Sequence, residues 1–460
     1  MQEPSLPLSA AQQWAWLLHL LDPSDPVANR PVALRVSGAL DISALQRALD
    51  EIAARHEALH TIFPSHGGIP RQKILPPAEL PFRLTDLTGL EGTLPQEEAK
   101  NIARAECLKP FDLENGPLVR VELLRLAGNE HWLVVPMPHI IFDGWSEKIF
   151  LYELQVLYEA FSRGRPSPLV PPEWQYRDYT LWQAEWMKGE RFASQLDFWR
   201  RKLADPPAVL PLPRESAARV ADRTGIICRL DLGQRLTQEL KQLARKHRVS
   251  LFMVMLAAFQ TLLARYTDAE DILVGVPSAN RGRRELERLI GSFINIQPFR
   301  GDLSGDPPAG QLLERTRQAA FEAFSNPDVP LVKLVETLRI ERPADRWPLF
   351  QAMFQLRNIP PLPAVENTAV QFEPLDLDLG LIGGLDLSLE AAEHDGRIRC
   401  KLIANRNSFS QPFADRMLVH YRRLLEAFTE DPGRRIWALP LLNPEEQRQL
   451  LAGWNDTGVK

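Results

Sequence analysis

The thirteen residues from Ser162 to Trp174, SRGRPSPLVPPEW, carry four prolines and one glycine. Each proline removes an amide donor and fixes φ, so no regular element runs through this stretch. It interrupts a chain of 460 residues, longer than one hydrophobic core usually spans. Two subdomains are therefore expected, at 1–173 and 174–441, followed by a trailing segment at 442–460.

The pattern on either side is mixed α/β. From Ile42 to His56, Leu45, Leu49, Ile52 and Ala53 recur at helical spacing, with Asp41 and Ser43 where an N-cap can lie. Leu118 to Arg125 and His131 to Met137 read as strands joined by the polar turn Ala127 to Glu130, which predicts a hairpin. Leu251 to Tyr266 is a long apolar helix and Asp271 to Val276 a short buried strand, while Ile359 to Val365 is a proline-rich loop.

Composition excludes several function classes. The formal net charge of -5 supplies no field for nucleic acid or an anionic membrane. No apolar run approaches the roughly 20 residues that span a bilayer, and the opening MQEPSLPLSA has no secretion-signal pattern, so a cytoplasmic location is expected. Cys107, Cys228 and Cys400 stand far apart with no metal-ligand spacing, and neither a zinc site nor a disulfide framework is expected. Glycine fingerprints for nucleotides and the nucleophile elbow of serine hydrolases are also missing.

Chemistry is concentrated in Met137-Pro138-His139-Ile140-Ile141-Phe142-Asp143-Gly144-Trp145-Ser146. His139 ends a strand, Asp143 and Gly144 make a turn, and helical periodicity resumes from Ser146 to Phe161, with Trp145 and Ser146 placed to pack and cap. A histidine between a strand end and a helix start can face a cleft and titrate near neutrality; taken alone, it is more often structural than catalytic. Pro136 and Pro138 both lack donors toward one neighbour, so the strand ends, or lies unpaired on that side, just before His139.

This segment resembles the His-His-x-x-x-Asp-Gly motif of the condensation domains of nonribosomal peptide synthetases, differing at its first position, where Pro138 stands. The resemblance continues in order through Ser9 to Gln13, Arg55 to Leu59, Tyr176 to Tyr179 with Trp182, Asn280 to Arg283, Ile290 to Asn295, and Pro348 to Gln351 with Met353 and Phe354. It implies an α/β fold of two chloramphenicol-acetyltransferase-like subdomains in a V-shaped pseudo-dimer with a central tunnel. It also implies a cytoplasmic partner set of donor and acceptor peptidyl carrier proteins. These carriers bring phosphopantetheine arms, the domain having no cofactor or metal of its own. The tail QRQLLAGWNDT is similar to the linker into a downstream adenylation domain of the same polypeptide.

By the same resemblance His139 is the catalytic histidine for amide bond formation. Asp143 is structural and pairs with Arg281. Gly144 is a permissive backbone position whose amide can hold an oxyanion. Departures from the family include Pro138, Trp14 and His60, and Asn326 to Leu331 in place of His-Gln-Asp-x-Pro-Phe. Three readings stay open: condensation of two carrier-bound units, a modified domain that dehydrates or otherwise alters a tethered residue, and an inactive module that docks carriers or recruits a tailoring enzyme. The donor, whether an L-configured aminoacyl unit or a fatty acyl starter, is left open as well.

Overall fold

In the computed structural model, residues 6–207, 209–214, 224–340, 347–357 and 369–448 are described. The expected loop at Ile359 to Val365 and the segment after 448 lie outside them.

Two separate sheets organise the molecule. The first has five strands in the order Gln371–Pro374, Val32–Ser37, Glu130–Val135, Val121–Ala127, Phe82–Asp86. All its pairings are antiparallel except the last. The second has six, in the order Asn295–Asp302, Asp271–Ser278, Ala352–Arg357, Leu387–His394, Arg397–Ala404, Ile226–Asp231. The expected hairpin is present, although its first strand begins at Val121 rather than Leu118. Gln371–Pro374 comes from beyond residue 174 yet pairs with Val32–Ser37, so the second half of the chain reaches across to complete the first sheet.

Helices cover these sheets for reasons local to their sequences. Asp41 caps Ile42–Arg55 by accepting from the Ala44 amide at 3.0 Å, and the helix buries Leu45, Leu49, Ile52 and Ala53 in a core shared with Ile149, Phe150 and Leu154 of the helix Gly144–Ser162. Leu251–Thr267 is buried along most of its length, as its nearly unbroken apolar run requires. No single helix among the described residues is long and apolar enough to cross a membrane. Cys107, Cys228 and Cys400 are buried free thiols, each pushed up to about 12, chiefly by burial.

A small aromatic cluster joins the two halves. Tyr176, Tyr179 and Phe293 pack with Ala58, Leu286 and Leu289, with ring centroids 4.7 to 5.6 Å apart. The Tyr176 hydroxyl lies 2.7 Å from Ser9 Oγ and also donates to the Ser292 carbonyl. Segments separated by more than a hundred residues thus meet at one junction.

Candidate active site

The proline pair determines where the first sheet stops. On one side of Glu130–Val135, the ladder with Val121–Ala127 runs to Glu122 opposite Val134, followed by a single bond from the Arg120 amide to the Pro136 carbonyl at 3.4 Å, because Pro136 and Pro138 have no amides to return. On the other side pairing goes on. The Arg30 amide donates to the Met137 carbonyl at 2.7 Å and the His139 amide to the Ala28 carbonyl at 2.5 Å, bracketing Pro138 opposite Asn29. Both bonds belong to the neighbours, so the missing Pro138 donor leaves this side intact.

The chain then turns, with the Ile141 amide donating to the Pro138 carbonyl at 3.1 Å, and starts a helix at Gly144. Its cap is Asp143 rather than the expected Trp145 and Ser146, since Asp143 Oδ1 accepts from the Ser146 amide at 2.8 Å. Asp143 also accepts from the Phe293 amide at 3.0 Å and from Arg281 Nη2 at 3.1 Å. Burial pushes its carboxyl up, but Arg281 and the two amides outweigh that and hold it below the ordinary carboxylate range. Arg281 also donates to the Leu289 carbonyl at 2.7 Å and stacks 4.1 Å from the Phe293 ring centroid. Asp143 is thereby turned into the junction between the halves, with both partners almost sealed from solvent.

His139 faces elsewhere. It is half-buried and opens on a cavity of about 220 Å³ whose wall brings together Trp14, Arg30, Tyr179, Trp347 and Glu390 from distant parts of the chain. Burial lowers its pKa below the ordinary 6.5 and the charge of Arg30 lowers it further, while local backbone groups and Asp143 raise it in part. A larger groove of about 780 Å³ adjoins, sharing Asn29, Arg30, Leu381 and Glu390 with the first cavity. Pro138 points into a different space, of about 10 Å³, with His19 and Phe111. The diverged motif position therefore does not line the cavity that His139 faces.

The other resembling segments converge around this site. His56 Nε2 lies 3.0 Å from Glu153, which also pairs with Arg55, and the Ile290 amide donates to His56 Nδ1 at 3.4 Å. Arg177 pairs with Glu57 at 3.2 Å. Trp14 stands edge-on to Trp347, with centroids 5.1 Å apart. Residues 2–451 match the Condensation domain family.

The chain belongs to that family. Two components of the linear gramicidin synthase of Brevibacillus parabrevis are similar to this condensation domain, one 41% identical over 99% of it and the other 39% identical over all of it. The domain spans only 9% of the length of either relative. Among solved structures, the X-domain from teicoplanin biosynthesis is 30% identical, with a TM-score of 0.84 over 96% of this chain and 99% of that one. The first condensation domain of the calcium-dependent antibiotic synthetase, 21% identical, shares the fold with a TM-score of 0.80 over 96% of this chain and all of that one. The α/β fold of two chloramphenicol-acetyltransferase-like halves is that of this condensation domain too.

Sequence reasoning missed Arg30 and Glu390. Arg30 precedes a proline in a segment with no motif, and Glu390 lies on a strand, Leu387–His394, of the second sheet; only the fold sets them in the wall of the cavity that His139 faces.

Proposed function

We propose that this condensation domain joins two carrier-bound units. The α-amine of an aminoacyl thioester attacks the carbonyl carbon of an acyl or peptidyl thioester, and the C–N bond forms as the carbonyl pair moves onto oxygen. Reforming the carbonyl breaks the C–S bond, and the proton released from nitrogen ends on the thiolate. The observation that carries this reading is His139, half-buried and open to a cavity walled by both halves.

The chemistry needs a neutral amine, yet a free α-amine has a pKa of about 7.7 to 8.0 and is largely protonated at neutral pH. His139, its pKa held down by burial and Arg30, is neutral at pH 7 and can accept a proton, an effect of about 10²- to 10⁴-fold. Confinement of both reactants contributes more, with effective molarities of about 10⁵ M or above in well-aligned systems. We assign Asp143 and Arg281 to holding the halves together and the Gly144 amide to the developing oxyanion. The first cavity and the adjoining groove, reached from opposite carriers by phosphopantetheine arms, would form the tunnel between subdomains divided near 173/174.

Mass spectrometry of an acceptor carrier after incubation with a loaded donor tests this. A gain equal to the acyl group, lost in His139→Ala, is the expected result; loss of water instead identifies a modifying domain. One observation favours a docking module as a second reading: the 30% identical X-domain of teicoplanin biosynthesis has also been solved in complex with OxyB. Turnover of the parent synthetase that is indifferent to His139→Ala would select that reading.

A further inference from the structure

We propose that Arg30 is a further catalytic residue of this domain, its guanidinium donating to the thioester carbonyl oxygen as negative charge gathers there during attack. This rests on the condensation reading above. Arg30 is placed by the strand pairing that also places His139: its amide donates to the Met137 carbonyl, two residues before the histidine. Its side chain lines both the cavity that His139 faces and the adjoining groove, which is where reactants from the two sides would meet.

The guanidinium lies directly over Gly144. A Cβ at that position would be 3.2 Å from Arg30 Nη2, a tight contact, so the absent side chain lets the cation sit a few tenths of an ångström closer to the start of the helix Gly144–Ser162. The charge and the helix N-terminus act in the same direction on an anion held there. Glu147 engages Nη2 at 3.3 Å, but that pair is partly exposed and leaves donors over. Among the described residues the buried Arg30 Nε has no hydrogen-bond partner, and an unpaired buried donor is costly unless a ligand or water satisfies it.

Electrons and atoms balance without a co-reactant. The carbonyl pair that moves to oxygen is met by the Arg30 guanidinium and returns when the C–S bond breaks, with no bond to Arg30 made or broken. Its fixed charge also favours neutral imidazole at His139. The other charged groups around that ring are Asp143 at the helix start, Glu147 on Arg30, and Glu390 across the cavity, itself 3.2 Å from Arg357; Tyr179 adds a phenol to the wall.

The test uses the 460-residue chain with loaded carriers, comparing Arg30→Met, which keeps the stem, with Arg30→Lys, which keeps the charge. We expect kcat to fall roughly 10²-fold in Arg30→Met, as on loss of one oxyanion donor, with KM changed less than about three-fold and partial recovery in Arg30→Lys. Carbon-13 histidine NMR, with His139 assigned by its loss in His139→Gln, should show its inflection at higher pH in Arg30→Met than in Arg30→Lys. Wild-type kcat in a folded Arg30→Met, or a rise in KM alone, overturns the proposal while leaving condensation intact. An inactive wild type overturns both.

Discussion

Arg281 Nη2 and Asp143 Oδ1 meet at 3.1 Å across the junction of the two halves, in a place where both side chains are almost fully buried. Removing one partner strands the other charge in a dry interior, which typically costs 3–5 kcal/mol. Arg281→Met is therefore expected to lower unfolding free energy by about that amount, seen as a reduced midpoint in chemical denaturation. Asp143→Asn, which leaves Arg281 without its counter-charge and has one carbonyl oxygen where the Ser146 and Phe293 amides use two, should cost a comparable amount.

His139 and Pro138 are adjacent but serve different spaces, the reactive cavity and a small pocket beside His19 and Phe111. Pro138→Ala is accordingly expected to keep kcat within about three-fold, whereas His139→Ala should lose roughly 10²-fold or more. Steady-state rates with carrier-bound substrates compare the two; a collapse in Pro138→Ala would place that residue in the chemistry after all.

The pKa of His139 is lowered by burial and then by Arg30, which fixes the sign of its pH dependence. The ring stays neutral, and able to take a proton, down to a pH below the ordinary value of about 6.5. The acid limb of the pH–rate profile should therefore inflect below that value. In the unfolded chain the ring regains its ordinary pKa and binds a proton first, so the stability linked to this group is present above about 6.5 and is lost as pH falls toward the folded value. Denaturation midpoints of the wild type and His139→Gln should therefore differ by a constant amount above about 6.5, with the wild type losing ground to the variant as pH falls below that value.

Gly144→Ala would place a methyl 3.2 Å from Arg30 Nη2 and push the guanidinium away from the helix start. Alanine suits a helix better than glycine and the guanidinium need give way by only a few tenths of an ångström, so the thermal midpoint should hold or rise while kcat falls by less than about 10²-fold, the cost of a full 1 Å misplacement. A fall in both would indicate a disturbed backbone instead.

Gly291 is held against an aromatic ring. A Cβ there would lie 2.2 Å from Tyr176 Cδ2 and 2.9 Å from Phe293 Cε2, both part of the cluster joining the halves. Overpacking of this kind typically costs 1–3 kcal/mol, so Gly291→Ala should lower the denaturation midpoint by a comparable amount.

Several features needed only local chemistry. The amphipathic spacing of Leu45, Leu49 and Ile52, the apolar run beginning at Leu251, and the two prolines ahead of His139 determine a helix, a buried helix and a strand end wherever they occur, because periodicity and the missing amides act within a few residues. Family resemblance extended that reading to the paired α/β architecture and to His139 as the residue to watch. What the sequence could not determine depends on contacts between distant segments. Gln371–Pro374 completes the first sheet from the far half, Arg30 settles over Gly144, and Pro138 turns away from the cavity of His139. Each follows from how two sheets and a helix start are set against one another, and no pattern along the chain encodes the direction in which a side chain points once strands from different regions have paired.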